Sequence, residues 1–162
     1  MDFGIINALI ANAIIKKIKG NFGLSIFARE RAKFEGWLKV EIIDSLGVNF
    51  NSVVPEKNRI DVCFEDWAIE LKTINTNYGY ENVKNKNRPI TKNIEGILAD
   101  IDKLKRIKTK NKAVVFIVFP CTADNKKWKN HLAKIKPDLR DLIETEFCFK
   151  NKIPGVLYFG LV

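Results

Sequence analysis

An α/β fold, with a central mixed sheet flanked by helices, is the architecture this sequence predicts. Three observations carry that expectation. Segments with helical spacing of apolar residues alternate with short runs of strand character. One such run, AVVFIVF at 113–119, is apolar throughout, as a strand covered on both faces must be. The 162 residues, 46% of them hydrophobic, suffice for one sizeable core, and no repeat, low-complexity run or Pro/Gly-rich linker divides them, so residues 1–162 are expected to form a single domain.

The elements follow in chain order. In residues 1–20, Ile6, Leu9, Ile10, Ala13 and Ile14 recur at helical spacing, which predicts an extra N-terminal amphipathic helix for core packing or self-association, with a homodimer as the corresponding partner. This stretch has no basic region before its apolar part and is interrupted by Asn7 and Asn12, so neither a signal peptide nor a membrane span is expected. A second helix is predicted over 29–46, with Phe34, Leu38, Ile42 and Ser45 on one face and Gly47 at its end. A strand at 48–54 should follow. Then IDVCF (60–64) and WAIELK (67–72) alternate with strand period around Glu65-Asp66, the pattern of a tight hairpin. Residues 75–88, rich in Asn and Lys, read as a loop. Asn93 is placed to cap a helix through Lys108, with Ile94, Ile97, Leu98, Ile101 and Leu104 as its buried stripe. After strand 113–119, helices are predicted at 125–135 and 138–146, separated by Pro137, and GVLYFGLV closes the chain as a strand.

Composition narrows the chemistry. The chain carries 28 Lys and Arg against 19 Asp and Glu, a net charge of +9, and a single histidine, His131. Mechanisms that need two imidazoles are thereby excluded, among them HNH-type nucleases, His-rich zinc hydrolases and ribonucleases with paired histidines. Catalysis would have to rest on carboxylates, lysines or an oxygen-held metal. Cys63, Cys121 and Cys148 are odd in number and far apart, so no disulfide framework or zinc site is indicated, and a reducing, cytoplasmic location is expected.

A two-residue turn at Glu65-Asp66 would oppose Phe64 to Trp67, Val62 to Ile69, and Asp61 to Glu70. One face of the hairpin then receives Phe64, Trp67, Val62, Ile69, Ile60 and Leu71, all apolar. The other carries Asp61 opposite Glu70, with Lys72 two residues further along the same face as Glu70. Facing carboxylates repel unless something compensates them, and a divalent cation does so naturally. Mg²⁺ commonly takes one or two carboxylates, completing its shell with water and substrate phosphate oxygens. Lys72 would stand beside it to orient or deprotonate a water, or to neutralise charge on a phosphate.

With these residues in view, PEKNRIDVCFEDWAIELKT resembles the core motif of the PD-(D/E)XK nuclease superfamily, with Asp61 as the motif aspartate and Glu70-Leu71-Lys72 as its E-x-K. The resemblance covers about residues 29–120 and implies a restriction-endonuclease-like αβββαβ core. It implies a DNA endonuclease that uses Mg²⁺, or Mn²⁺ as a substitute, held by Asp61 and Glu70. Pro55 departs from the pattern, lying six residues before Asp61 instead of beside it. Family members often add an acid from the preceding helix. Glu41, set among Trp37, Leu38 and Ser45, is the favoured candidate, because Glu35, flanked by Arg31 and Lys39, looks like a solvated surface acid.

The positive charge is one-sided. Residues 84–136 contain 15 basic and 4 acidic residues, which accounts for the whole excess. Lys84, Lys86, Arg88 and Lys92 lie just beyond the E-x-K strand, where they could bind nucleic-acid phosphates. The different-class alternative is a non-catalytic module that binds nucleic acid or a protein partner on the same fold.

Overall fold

The computed structural model describes residues 2–84 and 90–162. Asp2 caps the first helix, α1 (Phe3–Gly20), by accepting from the Gly4 N–H at 3.0 Å, and α1 buries Ile6, Ile10, Ala11, Ile14 and Ile18. Helix α2 (Phe22–Glu30) starts at Asn21, whose side chain accepts from the Leu24 N–H, and stops at Arg31, which takes the left-handed conformation with φ 54°. Helix α3 (Glu35–Gly47) buries Leu38, Ile42 and Leu46. The single helix expected over 29–46 is therefore two helices broken at 31–34. The apolar period runs on across the break, and what ends α2 is a buried cation tied to distant carbonyls, which no local pattern reports.

Three strands follow: β1 (Val54–Pro55), β2 (Val62–Phe64) and β3 (Trp67–Asn75). Of the expected strand 48–54 only Val54 pairs with β2, together with Pro55, and the residues before it are mostly turns. The hairpin has the predicted register, with Val62 opposite Ile69 and Phe64 opposite Trp67, and Glu65 supplies the turn with φ 45°. Helix α4 (Ile90–Arg106) begins ahead of Asn93, whose side chain bonds Lys33 and the Asn75 carbonyl instead of capping it. The helix buries Ile94, Ile97, Ile101 and Leu104 and carries the chain over to β4 (Asn111–Phe119), which lies parallel to β3. Asn125 caps α5 (Lys126–Ile135). A 3-10 turn containing Pro137 leads to β5 (Asp141–Cys148) and β6 (Pro154–Leu161).

The segment expected as a helix over 138–146 is thus largely strand β5. It is the outermost strand of a six-stranded sheet ordered β1-β2-β3-β4-β6-β5, and pairing along the whole of β6 outweighs the helix propensity of its glutamates. Every neighbouring pair except β3–β4 is antiparallel, so the sheet is mixed.

Helices cover both faces. On one side α1, α2 and α3 pack on Val62, Phe64, Trp67, Ile69, Leu71, Val115 and Phe159. On the other, α4 and α5 pack on Ala68, Ile74, Val114, Phe116 and Tyr158. Ile60, expected on the first face, joins the second because the chain leaves strand geometry at Asp61. Among the described residues no helix is long and apolar enough to cross a membrane.

Candidate functional site

Strand β3 has nine residues and its hairpin partner β2 only three, so beyond Ile69 the edge of β3 on that side has no strand beside it. Its backbone donors must find other acceptors. The Leu71 N–H donates to Asp61 Oδ2 at 2.8 Å and the Thr73 N–H to Glu35 Oε1 at 3.1 Å. Further along, the Phe34 N–H donates to Thr73 Oγ1 and the Asn75 side-chain Nδ2 to the Arg31 carbonyl. Two carboxylates therefore line an open sheet edge, held there by the strand itself.

Glu70 and Lys72 alternate out of β3 toward α4. Gly96, Asp100 and Lys103 lie one helical turn apart along the α4 face that meets them. Gly96 lets the helix close in, since a Cβ there would stand 3.2 Å from Lys72 Cε. Asp100 Oδ2 is 2.9 Å from Lys72 Nζ, and Lys103 Nζ is 2.5 Å from Glu70 Oε1. From the opposite face of the sheet, Lys39 of α3 places Nζ 2.7 Å from Asp61 Oδ1 and also bonds Glu56. By accepting from the Leu71 N–H, Asp61 is held beside Glu70, the preceding residue of β3.

The two acids have opposite electrostatic characters. Burial raises the Glu70 pKa to about 7, Lys103 only partly offsetting it and Asp61 adding to it. Burial acts the same way on Asp61, but hydrogen bonds from Lys39, the Leu71 N–H and the Glu70 carboxyl outweigh it and hold Asp61 below its ordinary value. Burial works against the charge on Lys72, yet the bond to Asp100 prevails and its pKa is raised, so Lys72 stands as a fixed cation. Although Lys103 and Lys72 lie close to them, Glu70 Oε1 and Asp100 Oδ2 are buried without an aligned hydrogen bond.

The structure brings Asp61, Glu70 and Lys72 together and does not bring Glu41. Glu41 pairs with Lys17 of α1, because the face of α3 bearing Trp37, Leu38 and Ser45 is turned toward α1, where Ser45 Oγ reaches the Leu9 carbonyl. Glu35 is the helix acid at the sheet edge instead. Lys84 is taken up by α2, its N–H bonding the Arg29 carbonyl and its ammonium 2.9 Å from Glu30. Lys92 is exposed in the first turn of α4, while Lys86 and Arg88 lie outside the described residues. Lys39, Asp100 and Lys103 were not among the residues expected from sequence. The 96, 100, 103 spacing beside the stripe of Ile97, Ile101 and Leu104 was the signal that could have found the two on α4.

The donor set suits a hard divalent cation. Two carboxylates on neighbouring positions of one strand edge, Glu70 almost fully buried, match the one or two carboxylates Mg²⁺ takes from protein. Among the described residues no cluster of three or more His, Cys, Asp or Glu is arranged for a metal. No protein-family model, curated protein or solved structure matches this chain. Fold and site therefore define it as an α/β protein whose mixed sheet carries a paired-carboxylate and lysine site at the open edge of β3.

Proposed function

We propose that the chain is a metal-dependent deoxyribonuclease of the PD-(D/E)XK kind, its restriction-endonuclease-like core running from α3 through β4, and that it works in the cytoplasm. The observation that carries this reading is Asp61, held against β3 by the Leu71 N–H at 2.8 Å and so beside Glu70, with Lys72 two residues along the same strand face as Glu70. In that reading Asp61 and Glu70 hold Mg²⁺, which supplies Lewis acidity toward a phosphodiester oxygen and a water of lowered pKa. Lys72, kept charged by Asp100, neutralises the charge that develops on the phosphorane oxygens. Glu35 fixes the strand edge through Thr73 and so holds Leu71 and its neighbours in place. Lys84 and Lys92, with Lys86 and Arg88, would supply backbone contacts to DNA.

Asp61→Asn and Lys72→Ala are expected to abolish Mg²⁺-dependent cleavage of a panel of linear, nicked, flapped and junction DNAs while unfolding cooperatively. Full activity in both variants, where wild type cuts, would refute the assignment. A non-catalytic binding module is the second reading, favoured by one observation: both acids already have lysine partners in Lys39 and Lys103. Calorimetric titration with Mn²⁺ separates the two, since only the nuclease needs a cation at the pair.

A further inference from the structure

Lys39 and Lys103 reach the acid pair from opposite faces of the sheet, one from a helix packed in each core layer. Each ammonium sits on a carboxylate oxygen that a metal would take, Lys39 on Asp61 Oδ1 at 2.7 Å and Lys103 on Glu70 Oε1 at 2.5 Å. An ammonium and a divalent cation cannot share such an oxygen without strong repulsion at that range. Both lysines can leave, because their side chains are 22% and 38% exposed, and each has a second acceptor on the rim, Glu56 for Lys39 and the Arg59 carbonyl for Lys103.

We propose that Lys39 and Lys103 are exchangeable internal counter-ions. In the metal-free protein they neutralise Asp61 and Glu70. When a divalent cation takes the two carboxylates, the released ammonium groups, bracketing the site from both faces, bind the non-bridging phosphate oxygens of the incoming DNA strand. This rests on the reading of Asp61 and Glu70 as metal ligands. It adds to Lys72 two further substrate-phosphate contacts, from residues outside the E-x-K motif.

The consequence is a pair of effects of opposite sign from one substitution. Removing an internal competitor should tighten the cation, and removing a phosphate ligand should weaken DNA. Lys39→Met and Lys103→Met keep the aliphatic stems that pack on the helices. Each is expected to bind Mn²⁺ about tenfold more tightly than wild type by calorimetry, and to bind a phosphorothioate duplex about tenfold more weakly in saturating Mn²⁺ by fluorescence anisotropy. Lys39→Gln and Lys103→Gln should reproduce both effects and serve where a methionine variant fails to give a cooperative thermal transition. If wild type binds Mn²⁺ and Asp61→Asn does not, but the lysine variants bind it no more tightly, the counter-ion role is overturned and the metal site stands. Unchanged or stronger duplex binding by the lysine variants overturns the phosphate role. If wild type binds Mn²⁺ no better than Asp61→Asn does, the metal reading and this one fall together.

Discussion

Glu70→Gln should make the metal-free protein more stable, although it removes a side chain at the centre of the site. Glu70 is 4% exposed, and its pKa in the folded chain is raised from 4.5 to about 7. The folded state therefore binds more protons than the unfolded chain between those values. The favourable contribution is complete below pH 4.5 and is lost as pH rises through 7. At 1.36 kcal/mol per pH unit, ionised Glu70 costs about 3 kcal/mol at pH 8 and under about 1 kcal/mol at pH 5. Glutamine cannot ionise, but it leaves Lys103 without its carboxylate. The expected gain is then about 2 kcal/mol at pH 8, some 4–8 °C in Tm for a chain of this length, and near zero at pH 5. Urea unfolding in the presence of a chelator at both pH values measures it. Adding Mg²⁺ should close the gap by stabilising wild type alone. A variant no more stable than wild type at pH 8, or a gap independent of pH, would refute the electrostatic account of Glu70.

Two further outcomes test parts of the structure away from the acid pair. Arg31 is 1% exposed and its guanidinium donates to the carbonyls of Thr76, Tyr78 and Lys84, so Arg31→Met should cost about 3–5 kcal/mol by urea unfolding and make residues 76–84 the first to gain hydrogen exchange. Tyr158 accepts from Trp128 Nε1 at 2.7 Å inside the α5 layer, so Tyr158→Phe should cost about 1–3 kcal/mol, while Trp128→Phe/Tyr158→Phe together should cost less than the sum of the two single changes.

The parts of the fold legible in the sequence were those governed by near neighbours. The hairpin register followed from the apolar alternation on either side of Glu65-Asp66, and with it came the proximity of Asp61, Glu70 and Lys72. The stripe on α4 was local in the same sense, whereas Asn93, expected as its cap, lies inside the helix. The failures share the opposite property. The stop at Arg31 depends on carbonyls 45 to 53 positions away, and β5 depends on pairing with β6 against its own propensity. Glu41 looked like the inward acid because its helical neighbours are apolar, yet those neighbours face α1. Glu35 looked solvated because Arg31 and Lys39 flank it, but Arg31 turns inward to bind backbone and Lys39 turns to Asp61. A one-dimensional reading has no means of seeing which partner a lysine or arginine selects.

The short length of β2 has a consequence for association as well. An open strand edge with free donors is a template on which another chain can add a strand. Here Asp61 and Glu35 occupy the Leu71 and Thr73 donors. A foreign strand approaching this side would have to displace both carboxylates and expose their charges to its own carbonyls. The same carboxylates that line the proposed site also stand in the way of another strand pairing there.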